Sequence, residues 1–281
     1  MNARQMIAEN IRRARRMKKI SRRDLSCLTR IPDGKIKSFE RGDEFQETAL
    51  VRRIANALNI GIEFFYQLPD EGFDKEKILL RRNKLPKRDR EAVIEMARYK
   101  SKDVTDLVIV MNLPVFQAPP KEEESISHER ARELGERLAS KWYIEEETLS
   151  SILESNGIFV VRIPDETILF RGLFIYRKNI PIIAIYEKDR KDGKLVEDIS
   201  HELGHAVFLN QKLPQDLEEK LCDSFAEGFS EKISALGIAT GEFDFIRRGT
   251  VKAWIDGEIS SSRAAEIFGI TTSEFIKEFS A

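Results

Sequence analysis

The chain has 281 residues, of which 41% are hydrophobic and 34% are charged, and its formal net charge is −1. This apolar content is sufficient for a folded core and too high for a disordered chain. The longest apolar runs fall far short of the ~20 residues that a membrane helix requires. Cys27 and Cys222 show no disulfide-framework spacing. We therefore expect a cytoplasmic protein without a signal peptide or a membrane segment.

Charge is distributed unevenly along the chain. Residues 1–68 contain 15 Lys and Arg against 8 Asp and Glu, a net charge of +7, so the remaining residues carry −8. A basic segment ahead of an acidic body favours contact of the first segment with a polyanion such as nucleic acid. A solvated basic helix would give the same composition, so charge alone leaves both interpretations open.

The basic segment predicts several short helices, two of which are joined by a tight turn. Ser21 caps one helix, expected over Arg22–Leu28, with Asp24 at its third position. A break follows at Thr29–Ile31, and the next helix is expected to open at Pro32, where a missing N–H group costs nothing. Such a pair, with basic residues outside, can place its second helix in the major groove of DNA. The residues expected to contact DNA are Arg22, Arg23, Lys35, Lys37, Ser38 and Arg41.

This segment resembles the lambda-repressor-like (XRE-type) helix-turn-helix family over about residues 3–68. Arg30 departs from the family pattern, because a Gly is usual at this turn position. Pro32 and Asp33 also depart from it, since a Ser usually opens the second helix and Asp33 would repel phosphate. The resemblance implies a DNA-binding domain at residues 1–68; the alternative is a helical interaction domain that never meets DNA. The matching residues are Leu25, Ser26, Ile31, Ile36, Glu40, Gly42, Ile54, Ala55, Leu58, Phe64 and Phe65.

Residues 69–127 are interpreted as connecting helices followed by a linker. Two helices are predicted over residues 75–111, separated near Leu85-Pro86, because proline cannot continue an interior helix. Gln117–Ser127 contains two prolines and three consecutive glutamates, so it is the best linker candidate and marks the main domain boundary.

Residues 128–281 are predicted to form an α+β domain with a helical tail. The tail, Ile259–Phe279, resembles a small helix-turn-helix hairpin, although a helical buttress on this domain is favoured. The complete fold is expected to be multidomain, with an all-α N-terminal domain and an α+β C-terminal domain. Runs of β-branched and aromatic residues predict strands at Ile158–Ile163, Ile168–Tyr176 and Ile180–Tyr186. Helical periodicity is found at Glu129–Trp142, Leu195–Leu209 and Leu217–Leu236.

The sequence His-Glu-Leu-Gly-His at residues 201–205 indicates a metal site. His201 and His205 are four residues apart, so on a helix both imidazoles lie on one face and can share one tetrahedral Zn²⁺ ion. A carboxylate at Glu202 could take a proton from the attacking water and pass it to the leaving amine of a peptide. The alternative is a surface helix with two solvated histidines.

Together with Glu218–Phe229 downstream, this motif resembles the ImmA/IrrE metallopeptidase family over about residues 128–235. Family residues match at Glu219, Cys222, Phe225 and Ala226, and Gly157–Val160 resembles the lead-in to the first strand. The Leu-Leu-x-Pro ending of the family is absent, since Phe229-Ser230-Glu231 stands there. The resemblance implies a zincin-like domain, a zinc endopeptidase activity of the gluzincin type, and a glutamate ligand on the helix after the motif.

Glu219 is the expected third zinc ligand, with His201 and His205, because two histidines and one carboxylate form a known peptidase site. Asp223 lies four residues further on the same face and could accept a hydrogen bond from one of the histidines. Glu218 is expected to point about 100° away from Glu219 around the helix. Cys222 is the main competitor as a ligand, because a thiolate binds zinc strongly, but we expect it to be a small buried residue.

Other residues in this half give weaker signals. Tyr176, Tyr186 and Arg171 are open candidates for oxyanion stabilisation. His128 is expected to be a surface histidine and not a ligand. Ile180–Tyr186 could be an edge strand that pairs with a substrate backbone, although an ordinary sheet strand is favoured.

The sequence therefore predicts a transcriptional regulator that joins a DNA-binding domain to a zinc endopeptidase. Its expected partners are double-stranded DNA and a protein substrate, such as a repressor that it cleaves; a homodimer is left open. One alternative is a DNA-binding repressor whose zinc domain is a non-catalytic sensor or partner-binding module. Another is an enzyme whose first domain docks a protein substrate. The presence of Glu202 favours an enzyme, because a purely structural zinc site does not need it.

Overall fold

The computed structural model describes residues 2–68, 78–80, 85–121, 125–163, 171–186 and 192–280. Over these residues the chain is mostly helical and contains one small sheet. The helices are α1 (Ala3–Met17), α2 (Arg22–Thr29), α3 (Asp33–Arg41), α4 (Thr48–Leu58), a 3-10 helix (Ile62–Tyr66), α5 (Lys87–Val110), α6 (His128–Trp142), α7 (Leu149–Ser155), α8 (Asp192–Phe208), α9 (Gln215–Ala235), α10 (Phe245–Ile255), α11 (Ser261–Phe268) and α12 (Thr272–Phe279). The strands are β1 (Ile78–Leu80), β2 (Phe159–Ile163), β3 (Gly172–Arg177) and β4 (Ile180–Tyr186).

Contacts divide the chain into two units. The first contains Met1–Phe73, Leu85–Asp103 and Gly249–Ala281, and the second contains Asp74–Lys84 and Val104–Arg248. Residues 249–281 are therefore grouped with the first unit, whereas the sequence placed them at the end of the last domain. The expected linker lies within the second unit, where Asn210 Nδ2 donates hydrogen bonds to the carbonyl oxygens of Ala118 and Pro119. The domain boundaries inferred from the sequence stay a prediction.

In the first unit, α1 to α4 and the 3-10 helix close around one apolar core, and α11 and α12 form a separate apolar cluster. Ile11, Leu25, Ile36, Phe39 and Phe65 are fully buried in the core formed by α1 to α4 and the 3-10 helix. These side chains recur at helical spacing, and their burial stabilises helices that would be too short to persist alone.

The turn between α2 and α3 contains an arginine in the left-handed region. The capping box at Ser21 and Asp24 begins α2, and Arg30 ends it with φ 54° and ψ 27°. Ser26 Oγ donates a hydrogen bond of 2.6 Å to the Ile31 carbonyl oxygen across the turn. Pro32 is the N-cap of α3, so α3 begins one residue later than the sequence predicted. The left-handed conformation of Arg30 is unfavourable for a residue with a Cβ atom, which explains why a glycine is usual at this turn position.

The sheet has the order β1-β3-β4-β2, in which β2 and β4 are parallel and the other pairs are antiparallel. All seven residues of β4 are buried, as expected for an interior strand covered on both faces. The predicted strand Ile180–Tyr186 coincides with β4. The part of the predicted Ile168–Tyr176 strand before Arg171 lies outside the described residues.

The prediction of a helix at residues 78–80 is wrong. These residues form β1 and pair with β3, with Ile78 opposite Ile175 and Leu80 opposite Leu173. The partner strand lies about ninety residues further along the chain, so the spacing of apolar residues near positions 78–80 could not predict this pairing. From Lys87 to Val110 the chain forms the single helix α5, which follows Pro86 as expected.

Helices α6, α8 and α9 pack closely because glycines replace side chains at their contacts. A Cβ atom on Gly135 of α6 would lie 2.3 Å from the Phe225 carbonyl oxygen, and one on Gly228 of α9 would lie 2.1 Å from the Arg132 carbonyl oxygen. A Cβ atom on Gly204 of α8 would lie 3.0 Å from Cys222 Sγ. The backbones of α8 and α9 therefore approach closely, which fixes the distance between any side chains that face each other across this contact.

Replacing Gly228 by Ala is expected to lower the free energy of unfolding by about 1–3 kcal/mol, because the added methyl group meets backbone that cannot rotate away. Gly193→Ala, at the exposed start of α8, is the matched control, since its added Cβ would meet no atom within 4 Å. Thermal unfolding of both variants measures the difference. Equal melting temperatures of the two variants would show that α6 and α9 can move apart to admit the methyl group without loss of stability.

None of the helices in the described part of the chain combines the length and the apolar character needed to cross a membrane.

Candidate metal centre

The two histidines of the motif lie on α8 and face α9. His201 and His205 are each only 1% exposed. Their ring centroids are 5.2 Å apart and the rings are almost perpendicular. The four-residue spacing thus places both imidazoles on one helix face, as the sequence predicted.

Glu219 on α9 completes a group of three side chains that could hold a metal ion. Ligand atoms of His201, His205 and Glu219 all lie within 4.8 Å of one another. The Glu219 carboxylate oxygens lie 3.6 Å from His201 Nε2 and 3.8 Å from His205 Nε2. One oxygen thus faces each ring, so the three side chains converge on one point.

The chemistry of these residues fits a metal ion. His205 Nε2 is buried and has no hydrogen-bond partner among the residues that the structure describes. A buried polar atom without a partner is costly, and a metal ion at the point of convergence would satisfy this one. Two imidazoles and one carboxylate form a donor set that suits zinc, although the geometry alone does not identify the metal.

The outer nitrogen of each histidine faces a second acidic side chain. Asp223 Oδ1 lies 2.9 Å from His201 Nδ1, and Glu218 Oε1 lies 2.9 Å from His205 Nδ1. A carboxylate at Nδ1 fixes the tautomer of a metal-binding histidine and leaves Nε2 as the ligand atom. Asp223 is therefore placed beside a histidine, as proposed from its spacing.

Glu218, expected about 100° around α9 from Glu219, also contacts one of the two histidines. Glu218 and Glu219 do diverge around α9, but the histidine ring carries two nitrogens on different sides. Glu219 reaches the inner nitrogen of His205 and Glu218 reaches its outer nitrogen. The sequence does contain a sign of this contact. Each of two ligand histidines needs one hydrogen-bond acceptor, and α9 offers two acidic residues besides Glu219, namely Glu218 and Asp223.

Cys222 lies close to the site but outside the group of three candidate ligands. Its Sγ atom is 3.5 Å from His205 Nδ1, the nitrogen turned away from Glu219. Burial, reinforced by the surrounding carboxylates, raises the pKa of the Cys222 thiol well above its ordinary value.

Glu202 lies against the first residue of β3. A Cβ atom on Gly172 would lie 2.6 Å from both Cγ and Oε1 of Glu202, so only a glycine allows the glutamate to occupy this position. Glu202 is 1% exposed, and it lies next to His201 on α8. The role of Gly172 could not be read from the sequence, because the contact joins a strand to a helix thirty residues away.

The weaker candidates lie as follows. Tyr186 is buried at the end of β4, Tyr176 is partly buried, and Arg171 is exposed. His128 is exposed at the start of α6, and its Nδ1 lies 2.9 Å from Ser224 Oγ. β4 lies between β3 and β2, so it is an interior strand and not an edge.

The residues proposed to contact DNA lie on or near the surface of α2 and α3. Arg23, Lys37 and Arg41 are exposed, whereas Arg22, Lys35 and Ser38 are partly buried. Lys35 Nζ lies 3.4 Å from Glu47 Oε1 and 5.6 Å from the centre of the Phe39 ring. Lys35 is thus partly neutralised by an acidic neighbour.

In comparisons with known proteins, no family model, no curated protein and no solved structure matched this chain.

Proposed function

We propose that the chain is a transcriptional regulator whose first domain binds DNA and whose second domain is a zinc-dependent endopeptidase that cleaves a partner protein, such as a repressor. The observation that carries the enzymatic part is the convergence of His201, His205 and Glu219, together with a buried glutamate, Glu202, which follows His201 in the chain and lies against Gly172. A purely structural metal site would not need a fourth, non-ligating carboxylate at this position.

In this proposal each side chain has a distinct role. His201, His205 and Glu219 hold the zinc ion, while Asp223 and Glu218 fix the orientation of the two imidazoles. A bound zinc ion would supply Lewis-acid chemistry, polarising a carbonyl oxygen and making water more acidic. Glu202 accepts the proton of the water that attacks the peptide carbonyl and then donates it to the nitrogen of the leaving amine.

The proposal predicts peptide cleavage that depends on zinc. The zinc-loaded chain is incubated with a random-sequence library of quenched fluorescent decapeptides. Cleavage is expected to stop on chelation and to return when zinc is added back. Cleavage that survives complete removal of the metal, checked by elemental analysis, would contradict the proposed mechanism.

The proposal also predicts DNA binding through α2 and α3. It is supported by the net charge of +7 on residues 1–68 and by the exposure of Arg23, Lys37 and Arg41. Each phosphate contact lowers log K by about 0.9 for a tenfold rise in salt. Reversing Lys37 to Glu is therefore expected to weaken binding of the full chain to duplex DNA and to reduce this salt dependence by about one contact.

Lys277→Glu is the matched control for that measurement, because Lys277 is also exposed but lies on α12. Fluorescence anisotropy with a mixed-sequence duplex at several salt concentrations compares the two variants. If no duplex binds at low salt, the first domain is not a DNA-binding domain. The docking of a protein substrate then becomes the better explanation for it.

The alternative of a non-catalytic metal sensor needs the ligands but not Glu202. It predicts that zinc changes the affinity for DNA and that Glu202→Gln leaves this change intact. Measuring DNA affinity with and without zinc in this variant therefore separates the two functions.

A further inference from the structure

The second unit contains a pocket of about 390 Å³, a volume within the range of small-molecule binding sites. Residues of α6 and of the segment 114–119 line it, and α8 and α9 contribute Val207 and Phe225. None of the three candidate metal ligands is among the described residues that line the pocket. The pocket is therefore distinct from the candidate metal centre.

Most of the side chains that line this pocket are apolar. Leu134, Leu138 and Trp142 recur at helical spacing on one face of α6. The ring of Phe116 meets Trp142 edge to face, with the ring centroids 5.8 Å apart. A ligand in this pocket would bury an apolar body against these side chains.

The segment 114–119 is held in place by hydrogen bonds on both sides of the pocket lining. The Phe116 N–H group donates a hydrogen bond of 3.2 Å to the Gly157 carbonyl oxygen. A Cβ atom on Gly157, which has φ 77°, would lie 2.3 Å from the Phe116 nitrogen. Asn210 Nδ2 donates hydrogen bonds to the carbonyl oxygens of Ala118 and Pro119. The pocket is thus preformed, which lowers the entropic cost of binding a ligand.

Two hydrogen-bond donors in the lining have no partner within the described part of the chain. Lys141 is exposed, lines the pocket and forms no ion pair with a described residue. Trp142 is only 6% exposed, and its indole N–H group donates to no described residue. A buried indole N–H group usually has an acceptor. No aspartate or glutamate is among the described lining residues, so an acceptor with a negative charge would satisfy both donors.

We propose that this pocket binds a small monocarboxylate with an apolar body. The carboxylate accepts hydrogen bonds from Lys141 and Trp142, and the body lies against Leu134, Leu138 and Phe116. An apolar molecule without an acceptor would leave both donors unpaired, and a cation would be repelled by Lys141. This inference stands apart from the proposed peptidase and DNA-binding functions. Aliphatic and aromatic carboxylates share the required chemistry.

The indole N–H signals in a nitrogen–proton correlation spectrum test the inference on the full chain. The sequence contains two tryptophans, Trp142 and Trp254, and Trp142→Phe assigns their signals. Trp254 is an internal control, because its Nε1 already donates a hydrogen bond of 2.9 Å to Ser261 Oγ. Decanoate and naphthoate are titrated separately at neutral pH, and decanol serves as the uncharged counterpart of decanoate.

At least one carboxylate is expected to move the Trp142 signal saturably while the Trp254 signal stays in place. A tighter fit of decanoate would identify a flexible aliphatic chain as the preferred body, and a tighter fit of naphthoate a flat ring system. Decanol is expected to bind more weakly than decanoate, because it cannot pair with the charge of Lys141. A Trp142 signal that does not move with either carboxylate would overturn the inference.

The variant Lys141→Gln tests the charge directly, since an exposed side chain can be replaced without disturbing the fold. Its affinity for decanoate is expected to fall roughly threefold to fivefold, as for other exposed ion pairs, while its affinity for decanol stays unchanged. Lys277→Gln is the matched control, because Lys277 is exposed on α12 and does not line the pocket. Equal affinities of the unmodified chain for decanoate and decanol, or an unchanged affinity of Lys141→Gln for decanoate, would overturn the assignment of a carboxylate ligand.

Discussion

Replacing Glu202 by Gln is expected to abolish peptide cleavage while zinc binding is retained. The amide keeps the size of the side chain, so it still fits against Gly172, but it cannot accept a proton from water. Loss of general-base assistance costs about 10²–10⁴-fold in rate. Steady-state cleavage, together with the zinc content of the purified variant, measures both effects.

Gly172→Ala provides an independent test of the same geometry. Its added methyl group would lie 2.6 Å from the Glu202 carboxylate, which must then move. We expect a lower kcat with zinc still bound, because the displaced residue, Glu202, is not one of the three candidate ligands. Unchanged cleavage in Glu202→Gln would exclude Glu202 as the general base. Unchanged cleavage in Gly172→Ala alone would show that the Glu202 carboxylate can move without loss of activity.

Replacing Glu219 by Ala is expected to remove zinc binding altogether, because only two protein ligands would remain. Asp223→Ala and Glu218→Gln should each weaken zinc binding by about 10–100-fold, since each removes the group that faces the outer nitrogen of one histidine. Competition with a chromogenic chelator gives the affinities. Glu227→Ala, on the same helix but outside the cluster, is the control and should bind zinc normally.

Cys222→Ala distinguishes this assignment from its main competitor. We expect little change in zinc affinity, because Cys222 Sγ lies beside the outer nitrogen of His205 and is not among the three ligand atoms that converge. A zinc–sulfur distance near ~2.3 Å to Cys222 in a crystal would contradict the assignment of Glu219.

Local patterns in the sequence predicted the parts of the site that lie on single helices. His201 and His205 follow from helical spacing, Glu219 follows from the family resemblance and its donor set, and Asp223 follows from its position four residues after Glu219. The strand Ile180–Tyr186 could be delimited because its apolar run is bounded by Asn179 on one side and a charged stretch on the other. Each of these features depends on residues a few positions apart.

Features that depend on contacts between distant segments could not be predicted. The short apolar sequence of β1 is compatible with a helix or a strand. It forms a strand because it pairs with β3, which is distant in the sequence. The closeness of Gly172 to Glu202 depends on how a strand meets a helix. The contact of Glu218 with His205 Nδ1 likewise depends on how α8 and α9 pack against each other.

The clustering of acidic side chains has a consequence for protein turnover. Glu202, Glu218, Glu219 and Asp223 all act electrostatically on the Cys222 thiol, so four acidic groups lie near it. A divalent cation held by His201, His205 and Glu219 would offset their mutual repulsion, and it would bind the native chain more tightly than the unfolded one. Such linkage contributes about 2.7 kcal/mol to stability when the free cation is a hundredfold above its Kd. Depletion of the cation would therefore both stop the chemistry and increase the unfolded fraction exposed to cellular proteases, so that the supply of metal would set how much of the protein persists.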